Sequence, residues 1–192
     1  MKRVERLDTT TTSDGTELTL YRHDGAYSIR VDGVERMSTR RHHSEDTLAE
    51  RVCSPIQNTA NARVLIGGLG LGFTLKAALN SLGPDARVEL LRDDVANVLK
   101  KSRGVFDGIM LDVDNGAESL TMSGNAQLYR YVGIKLAVTA LRPGGRIAYW
   151  SANENVQFEQ SLRDAALSVE VLRIRAHTTS GPWHTLFFAR AD

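Results

Sequence analysis

The sequence predicts an α/β protein with an open, mostly parallel sheet that follows a small antiparallel β-meander. A buried strand, a glycine-rich turn and a helix follow one another at residues 63–82, where the apolar run Val64-Leu65-Ile66 leads into Gly67-Gly68-Leu69-Gly70-Leu71-Gly72. Strand and helix patterns then alternate along the rest of the chain, as parallel strands with crossover helices require. Before this region, residues 16–40 alternate apolar and polar side chains around two Asp-Gly turn signals, which is typical of hairpins.

The elements are predicted in chain order. Residues 1–15 are polar and predict a loose end or a turn, and residues 16–22, 26–31 and 34–37 predict the meander. A short polar helix is predicted to begin near Ser44 and to end before Pro55. The remaining patterns predict strands at 63–67, 87–91, 106–111 and 146–151, helices at 72–82, 95–101, 127–141 and 158–166, and a final antiparallel pair at 169–175 and 185–189. We therefore place an N-terminal unit at residues 1–60 and a nucleoside-binding domain at 61–192.

Composition narrows the classes of function. The chain has 192 residues, of which 42% are hydrophobic and 24% charged, and its formal net charge of +1 gives no electrostatic reason to expect a nucleic-acid or membrane partner. Its single cysteine, Cys53, excludes an internal disulfide. No signal peptide pattern and no apolar run of about 18 residues is found, so we expect a cytoplasmic protein.

Two adjacent histidines, His42 and His43, stand in a dense polar cluster. Adjacent residues on a helix point about 100° apart, and neither a cysteine nor a third histidine lies nearby in the sequence. We therefore interpret this cluster as a charged helix cap and predict no metal site.

Polar residues follow the predicted strands, where open parallel sheets bind their ligands. The glycine turn allows a nucleotide-like ligand to approach the backbone, although it would also serve simply to close a strand–helix unit. Asp112 and Asp114 lie two apart and, in an extended segment, point to the same side, where they would hold an amine and take its proton. Alternatively, Asp114 belongs to a plain turn. Asp94 is suited either to an adenine amino group or to capping the next helix.

These features together resemble the spermidine synthase (polyamine aminopropyltransferase) family and its Rossmann-like, class I S-adenosylmethionine-dependent methyltransferase fold. The turn IGGLGLG resembles the family's IGGGDGG, GAESLTMSGNAQLY resembles GPAESLFSEEFY, and SGPWHTLFFA resembles its C-terminal strand. The resemblance covers about residues 16–190. It implies transfer of an aminopropyl group from decarboxylated S-adenosylmethionine to an amine such as putrescine.

The resemblance also implies roles for particular residues. Asp112 would be the base and amine ligand, assisted by Asp114. Gly67, Gly68, Gly70 and Asp94, with its neighbour Asp93, would hold the nucleoside. Substrate contacts are implied for three further residues, of which the first two align near the family's Tyr-Gln pair: Glu45, Asp46 and Tyr129.

The sequence departs from the family pattern by one strand–helix unit, because the predicted strand at 87–91 runs straight to Asp93-Asp94. Either the chain is a shortened relative, or the sequence lacks a segment that the whole protein has. Two alternatives follow: a methyltransferase that uses S-adenosylmethionine on a small molecule, and a catalytically silent nucleoside-binding relative. In each case we expect a homodimer, since pairing would protect the edge of the meander.

Overall fold

The computed structural model describes residues 3–12, 15–113 and 125–191 and contains two sheets. The first sheet has four strands: β1 (Glu5–Thr11), β2 (Glu17–His23), β3 (Ala26–Val31) and β4 (Val34–Ser38). The second has five: β5 (Val64–Gly67), β6 (Phe106–Leu111), β7 (Leu141–Ser151), β8 (Leu167–Arg175) and β9 (Trp183–Ala191). The helices of the described ranges are α1 (His43–Cys53), α2 (Phe73–Leu82), α3 (Val95–Lys101), α4 (Tyr131–Ala140) and α5 (Val156–Asp164).

The N-terminal sheet is an antiparallel meander in the order β1-β2-β3-β4. Its three later strands confirm the prediction. The expectation of a loose end or a turn over residues 1–15 was wrong for Glu5–Thr11, which forms β1. Every residue of β1 is exposed. Backbone pairing with β2 holds this strand without burying a face, so no apolar alternation marks it in the sequence.

The second sheet has the order β5-β6-β7-β9-β8, with β5, β6 and β7 parallel and β9 antiparallel to both of its neighbours. This arrangement confirms the predicted open, mostly parallel sheet. Among the described residues, the antiparallel pairs of this sheet all involve the final strand, which returns between β7 and β8. The carboxyl ends of β5 and β6 therefore lie side by side, with Gly67 paired to Leu111.

The strand predicted at residues 87–91 is not formed. These residues belong to no strand, and their apolar side chains point outward, with Val88 55% and Leu90 75% exposed. Strand β5 is consequently an edge strand within the described sheet. An alternating pattern is necessary for a half-buried strand but does not provide a pairing partner, which is why the local pattern was misleading here.

Several boundaries also differ from those predicted. Helix α5 spans Val156–Asp164 and not residues 158–166, and β8 and β9 are longer than the predicted 169–175 and 185–189. Strand β7 begins at Leu141 and not at residue 146, so Arg142-Pro143-Gly144-Gly145 belongs to the strand. The Arg142 guanidinium pairs with the Asp107 carboxylate of β6 at 2.7 Å, which holds this segment beside the sheet. Helix α4 begins only at Tyr131, after a 3₁₀ turn at Asn125–Tyr129.

The core lies on both faces of the second sheet. Along β6, Ile109 and Leu111 face α3, α4 and α5, whereas Met110 faces α1 and α2. This alternation is the period of two expected of a strand covered on both faces. Cys53 is buried on the α1 side, and burial raises the pKa of its thiol to about 12.

None of the helices in the described ranges is long and apolar enough to span a bilayer. The division of the chain at residue 60 stays a prediction.

Candidate active site

A cavity of about 180 Å³ lies where the N-terminal sheet meets the carboxyl ends of β5 and β6. Apolar side chains of β2, β3 and β4 form one wall, and the turn after β5 forms another. Two carboxyl groups, those of Glu45 and Asp112, also line it. The cavity therefore combines a mostly apolar lining with a pair of acids, as small-molecule sites commonly do.

Asp112 directly follows β6 and continues the strand's alternation, so its side chain lies on the same face of the sheet as Met110, toward α1 and α2. The Thr74 hydroxyl at the start of α2 donates a hydrogen bond of 2.6 Å to Asp112 Oδ2. Burial and the nearby Glu45 carboxylate raise the pKa of Asp112 to about 7, against the opposing effect of Thr74. A carboxyl group in this range is suited to exchange a proton near neutral pH.

Glu45 lies in the first turn of α1 and is the second acid of the cavity. Burial raises its pKa, while the Ser44 hydroxyl, which donates to Glu45 Oε2 at 2.5 Å, lowers it. Two carboxyl groups that share one cavity do not ionise independently, because each charge disfavours the other. A cationic ligand in the cavity would therefore meet a negative charge that is shared between the two carboxyl groups.

The glycine turn is packed tightly against Asp112. Gly68 has φ of +90°, and a Cβ placed on it would lie 2.0 Å from the carbonyl oxygen of Asp112. A Cβ on Gly70 would lie 2.7 Å from the sulfur of Met37, which comes from the N-terminal sheet. Gly70 lines the cavity, whereas a Cβ on Gly67 would meet Leu111 and Val95 at 2.9 Å. The protein's own packing thus requires glycine at these positions.

Asp93 and Asp94 lie at the start of α3 and do not line the cavity. Asp94 is the N-cap residue, and its Oδ1 accepts a 2.7 Å hydrogen bond from the backbone N–H of Ala96. Asp93 accepts from the Asn97 amide and pairs with the Lys101 ammonium at 3.2 Å. The structure shows the capping alternative for Asp94, and nucleoside contacts for both residues stay predictions.

Asp46 lies next to Glu45 but turns toward His42, whose Nδ1 is 2.7 Å from Asp46 Oδ2. The His42 ring stacks on Phe73 with centroids 4.3 Å apart, so this histidine links α1 to α2. Within the ranges that the structure describes, no three histidine, cysteine or acidic side chains are grouped so that they would hold a metal ion.

Tyr129 lies on the opposite face of the sheet, in the core beside Tyr149 and Phe158. Its hydroxyl donates to the backbone carbonyl of Trp150 at 3.0 Å. Substrate contact by Tyr129 stays a prediction. Asp114 lies outside the described residues, so its assistance to Asp112 stays a prediction as well.

Three polar groups of the site were not predicted from the sequence: Thr74, Ser44 as a ligand of Glu45, and Trp150. Thr74 was detectable in principle, because the second residue of a helix that follows a strand–turn unit faces the neighbouring strand end. The sequence carried no signal for the other two, because their contacts join α1 to β7 across more than one hundred residues.

Comparison with known proteins gives the fold. No protein-family model and no curated protein matches the sequence. A solved spermidine synthase in complex with the transition state analogue AdoDATO superposes with a TM-score of 0.73 at 16% identity, over 97% of this chain and 72% of that one. Spermidine synthase from Thermotoga maritima gives 0.70 at 16% identity, over 97% and 73%.

A probable spermidine synthase from Corynebacterium glutamicum gives a TM-score of 0.60 at 11% identity, over 97% of this chain and 79% of that one. At such identities the likeness concerns the fold. The chain has a spermidine synthase-like form of the Rossmann-like, class I methyltransferase fold.

Proposed function

We propose that this protein is a transferase that moves an aminopropyl group from decarboxylated S-adenosylmethionine to a small amine. The observation that carries the proposal is Asp112, a carboxyl group with a pKa raised to about 7, in a cavity beside the glycine turn. The fold likeness to spermidine synthases supports it.

The chemistry requires a neutral amine next to a sulfonium ion. An amine in water at neutral pH is an ammonium ion, which the Glu45 and Asp112 carboxyl pair would attract into the cavity. As the Asp112 carboxylate takes one N–H proton, the nitrogen lone pair attacks the methylene carbon bound to sulfur. The new C–N bond forms, the C–S bond breaks, and its electron pair stays on sulfur, which leaves methylthioadenosine and the lengthened amine.

The apolar walls strengthen this step. Met37 and Phe73 line the cavity together with Leu69 and Leu71 of the glycine turn. A low local dielectric makes the attraction between a carboxylate and an ammonium ion stronger than it is in water. We place the nucleoside against the turn at Gly70 and the amine between the two acids.

A second candidate, methyl transfer from S-adenosylmethionine itself, is favoured by one observation. The cavity is also lined by Arg36 of β4. A guanidinium suits the carboxylate that S-adenosylmethionine carries and its decarboxylated form lacks. Glu45 and Asp112 would then bind the amine that accepts the methyl group.

The test is a product assay by mass spectrometry with either co-substrate and a panel of mono-, di- and polyamines. We expect methylthioadenosine and an amine heavier by one aminopropyl group, at a rate that rises with pH through about 7 as Asp112 ionises. Asp112→Asn should reduce the rate by roughly 100-fold or more. Asp85→Asn, at an exposed residue that does not line the cavity, is the matched control.

Three results would contradict the proposal in different ways. A methylated amine formed with S-adenosylmethionine, and no product with its decarboxylated form, would select the second candidate. Co-substrate binding without any product would indicate the silent relative. Full activity in Asp112→Asn would remove Asp112 from the reaction.

A further inference from the structure

Ser44 is a completely buried hydroxyl at the start of α1 that joins three parts of the molecule. Its Oγ accepts a hydrogen bond from the Trp150 indole N–H of β7 at 3.2 Å. His184 Nδ1 of β9 lies 2.8 Å from the same oxygen. The third partner is Glu45 Oε2 at 2.5 Å, so a serine that does not line the cavity contacts one of the cavity's two acids.

The start of α1 is held firmly against the second sheet. The His43 backbone N–H donates to the Ala176 carbonyl, just beyond β8, at 2.9 Å. The rings of Trp150 and His184 pack edge to face with centroids 4.6 Å apart. These contacts fix the position of Ser44 and therefore restrict its hydroxyl to the three partners described.

The numbers of donors and acceptors around Ser44 Oγ determine the direction of each of its three hydrogen bonds. The indole N–H only donates, and Ser44 has one proton to give. While Glu45 is ionised it only accepts, so the Ser44 proton must go to Glu45. The remaining contact is satisfied only if His184 donates from Nδ1–H. His184 is accordingly the neutral Nδ1–H tautomer, and burial together with Arg41 lowers its pKa to about 4.

We propose that Ser44, anchored by Trp150 and His184, is a positioning residue that holds Glu45 ionised beside Asp112 and so sets how readily Asp112 takes up a proton. Its catalytic meaning rests on the proposed function. Two links make up this effect: the hydrogen bond from Ser44 stabilises the Glu45 carboxylate, and the charge of Glu45 raises the pKa of Asp112.

Other charged and polar groups also face these acids. Asp46 raises and His42 lowers the pKa of Glu45 from within the same turn of α1. Arg36 lines the cavity from β4, and Thr74 of α2 lowers the pKa of Asp112. All of these stay in place when only the Ser44 hydroxyl is removed.

The test is a carboxyl ¹³C NMR titration of the full chain, which needs no substrate. In Ser44→Ala we expect the pKa of Glu45 to rise and that of Asp112 to fall, each by roughly a threefold to tenfold change in proton affinity. The fall at Asp112 follows because Glu45 is then neutral over a wider pH range. Glu45→Gln should lower the pKa of Asp112 in the same way.

Opposite shifts separate this account from a loosened structure, since water entering the cavity would lower both pKa values. Ser81→Ala, which removes a hydroxyl that donates to the Ala77 carbonyl of its own helix, should shift neither pKa. Shifts in the same direction, or no shift in Ser44→Ala, would overturn the proposal.

A second measurement uses the unaltered chain, in case Ser44→Ala does not fold. Imidazole ¹⁵N NMR at a pH above the titration of Glu45 should show His184 as the Nδ1–H tautomer, and an Nε2–H tautomer would overturn the proposal. Neither experiment depends on turnover. A chain with no transferase activity would refute the proposed function, but both NMR measurements would still test the role of Ser44.

Discussion

At the residue scale, the site depends on how closely the glycine turn approaches Asp112. Gly68 and Gly72 both have positive φ, of +90° and +79°, but Gly68 also lies against another segment. No residue that the structure describes, other than its two chain neighbours, lies within 4 Å of a Cβ placed on Gly72. A side chain at Gly72 would therefore cause backbone strain, whereas one at Gly68 would cause both backbone strain and steric overlap.

Replacement by alanine should affect them differently. Gly72→Ala should reduce the free energy of unfolding by about 1–2 kcal/mol, which is the cost of left-handed backbone. Gly68→Ala adds an overlap at 2.0 Å with the Asp112 carbonyl, so its loss should be at least twice as large. Urea unfolding of both variants checks this, and equal losses would contradict the tight packing at Asp112.

Asp112 should also make stability depend on pH. Its pKa is raised from 3.8 to about 7 on folding, so the folded state binds the proton more tightly than the unfolded state. The stabilisation that this proton provides is present below about pH 4 and is lost as pH rises through about 7, by on the order of 4 kcal/mol.

The comparison with Asp112→Asn isolates this contribution from that of His184, whose lowered pKa acts in the opposite direction below about pH 6. The difference in unfolding free energy between wild type and the variant should fall as pH rises from 4 to 8. A difference that is constant across this range would show that Asp112 titrates normally.

At the element scale, the sequence predicted correctly those features that depend on interactions between residues close in the chain. Helix α3 begins and ends as predicted, since Asp94 caps it and Lys100 and Lys101 occupy its last turn. The strand expected at 87–91 and the loose end expected before residue 15 were both wrong, because strands depend on partners that the local sequence does not reveal. For the site, strand ends placed Asp112 correctly next to the glycine turn, but the links through Thr74 and Ser44 come from long-range packing.

Two variants of Asp94 distinguish its role as a helix cap from a contact with adenine. As the N-cap of α3, Asp94→Ala should cost about 1 kcal/mol of stability, and Asp94→Asn should restore most of it because asparagine caps equally well. Thermal unfolding measures the cap. If both variants bind the nucleoside as wild type does, Asp94 is a cap only, whereas a loss of affinity in the stable Asn variant would support the adenine contact.

At the scale of the whole molecule, the cavity exists because the two sheets meet over it. The N-terminal sheet supplies Met37 against Gly70, and the second sheet supplies Asp112. Four strands lie at sheet edges within the described ranges: β1, β4, β5 and β8. The homodimer stays a prediction, and the edge of β1 is where we expect it to form.

Within the described residues no strand pairs with the outer edge of β5. This bears most directly on the proposed co-substrate site, because the sequence departs from the family pattern by one strand–helix unit. The measurement that tests the claim is calorimetric titration of the full chain with decarboxylated S-adenosylmethionine, S-adenosylmethionine and methylthioadenosine. We predict saturable binding of the decarboxylated form at one site per chain. No heat with any of the three, from a chain shown to be folded by circular dichroism, would contradict a co-substrate site in this cavity.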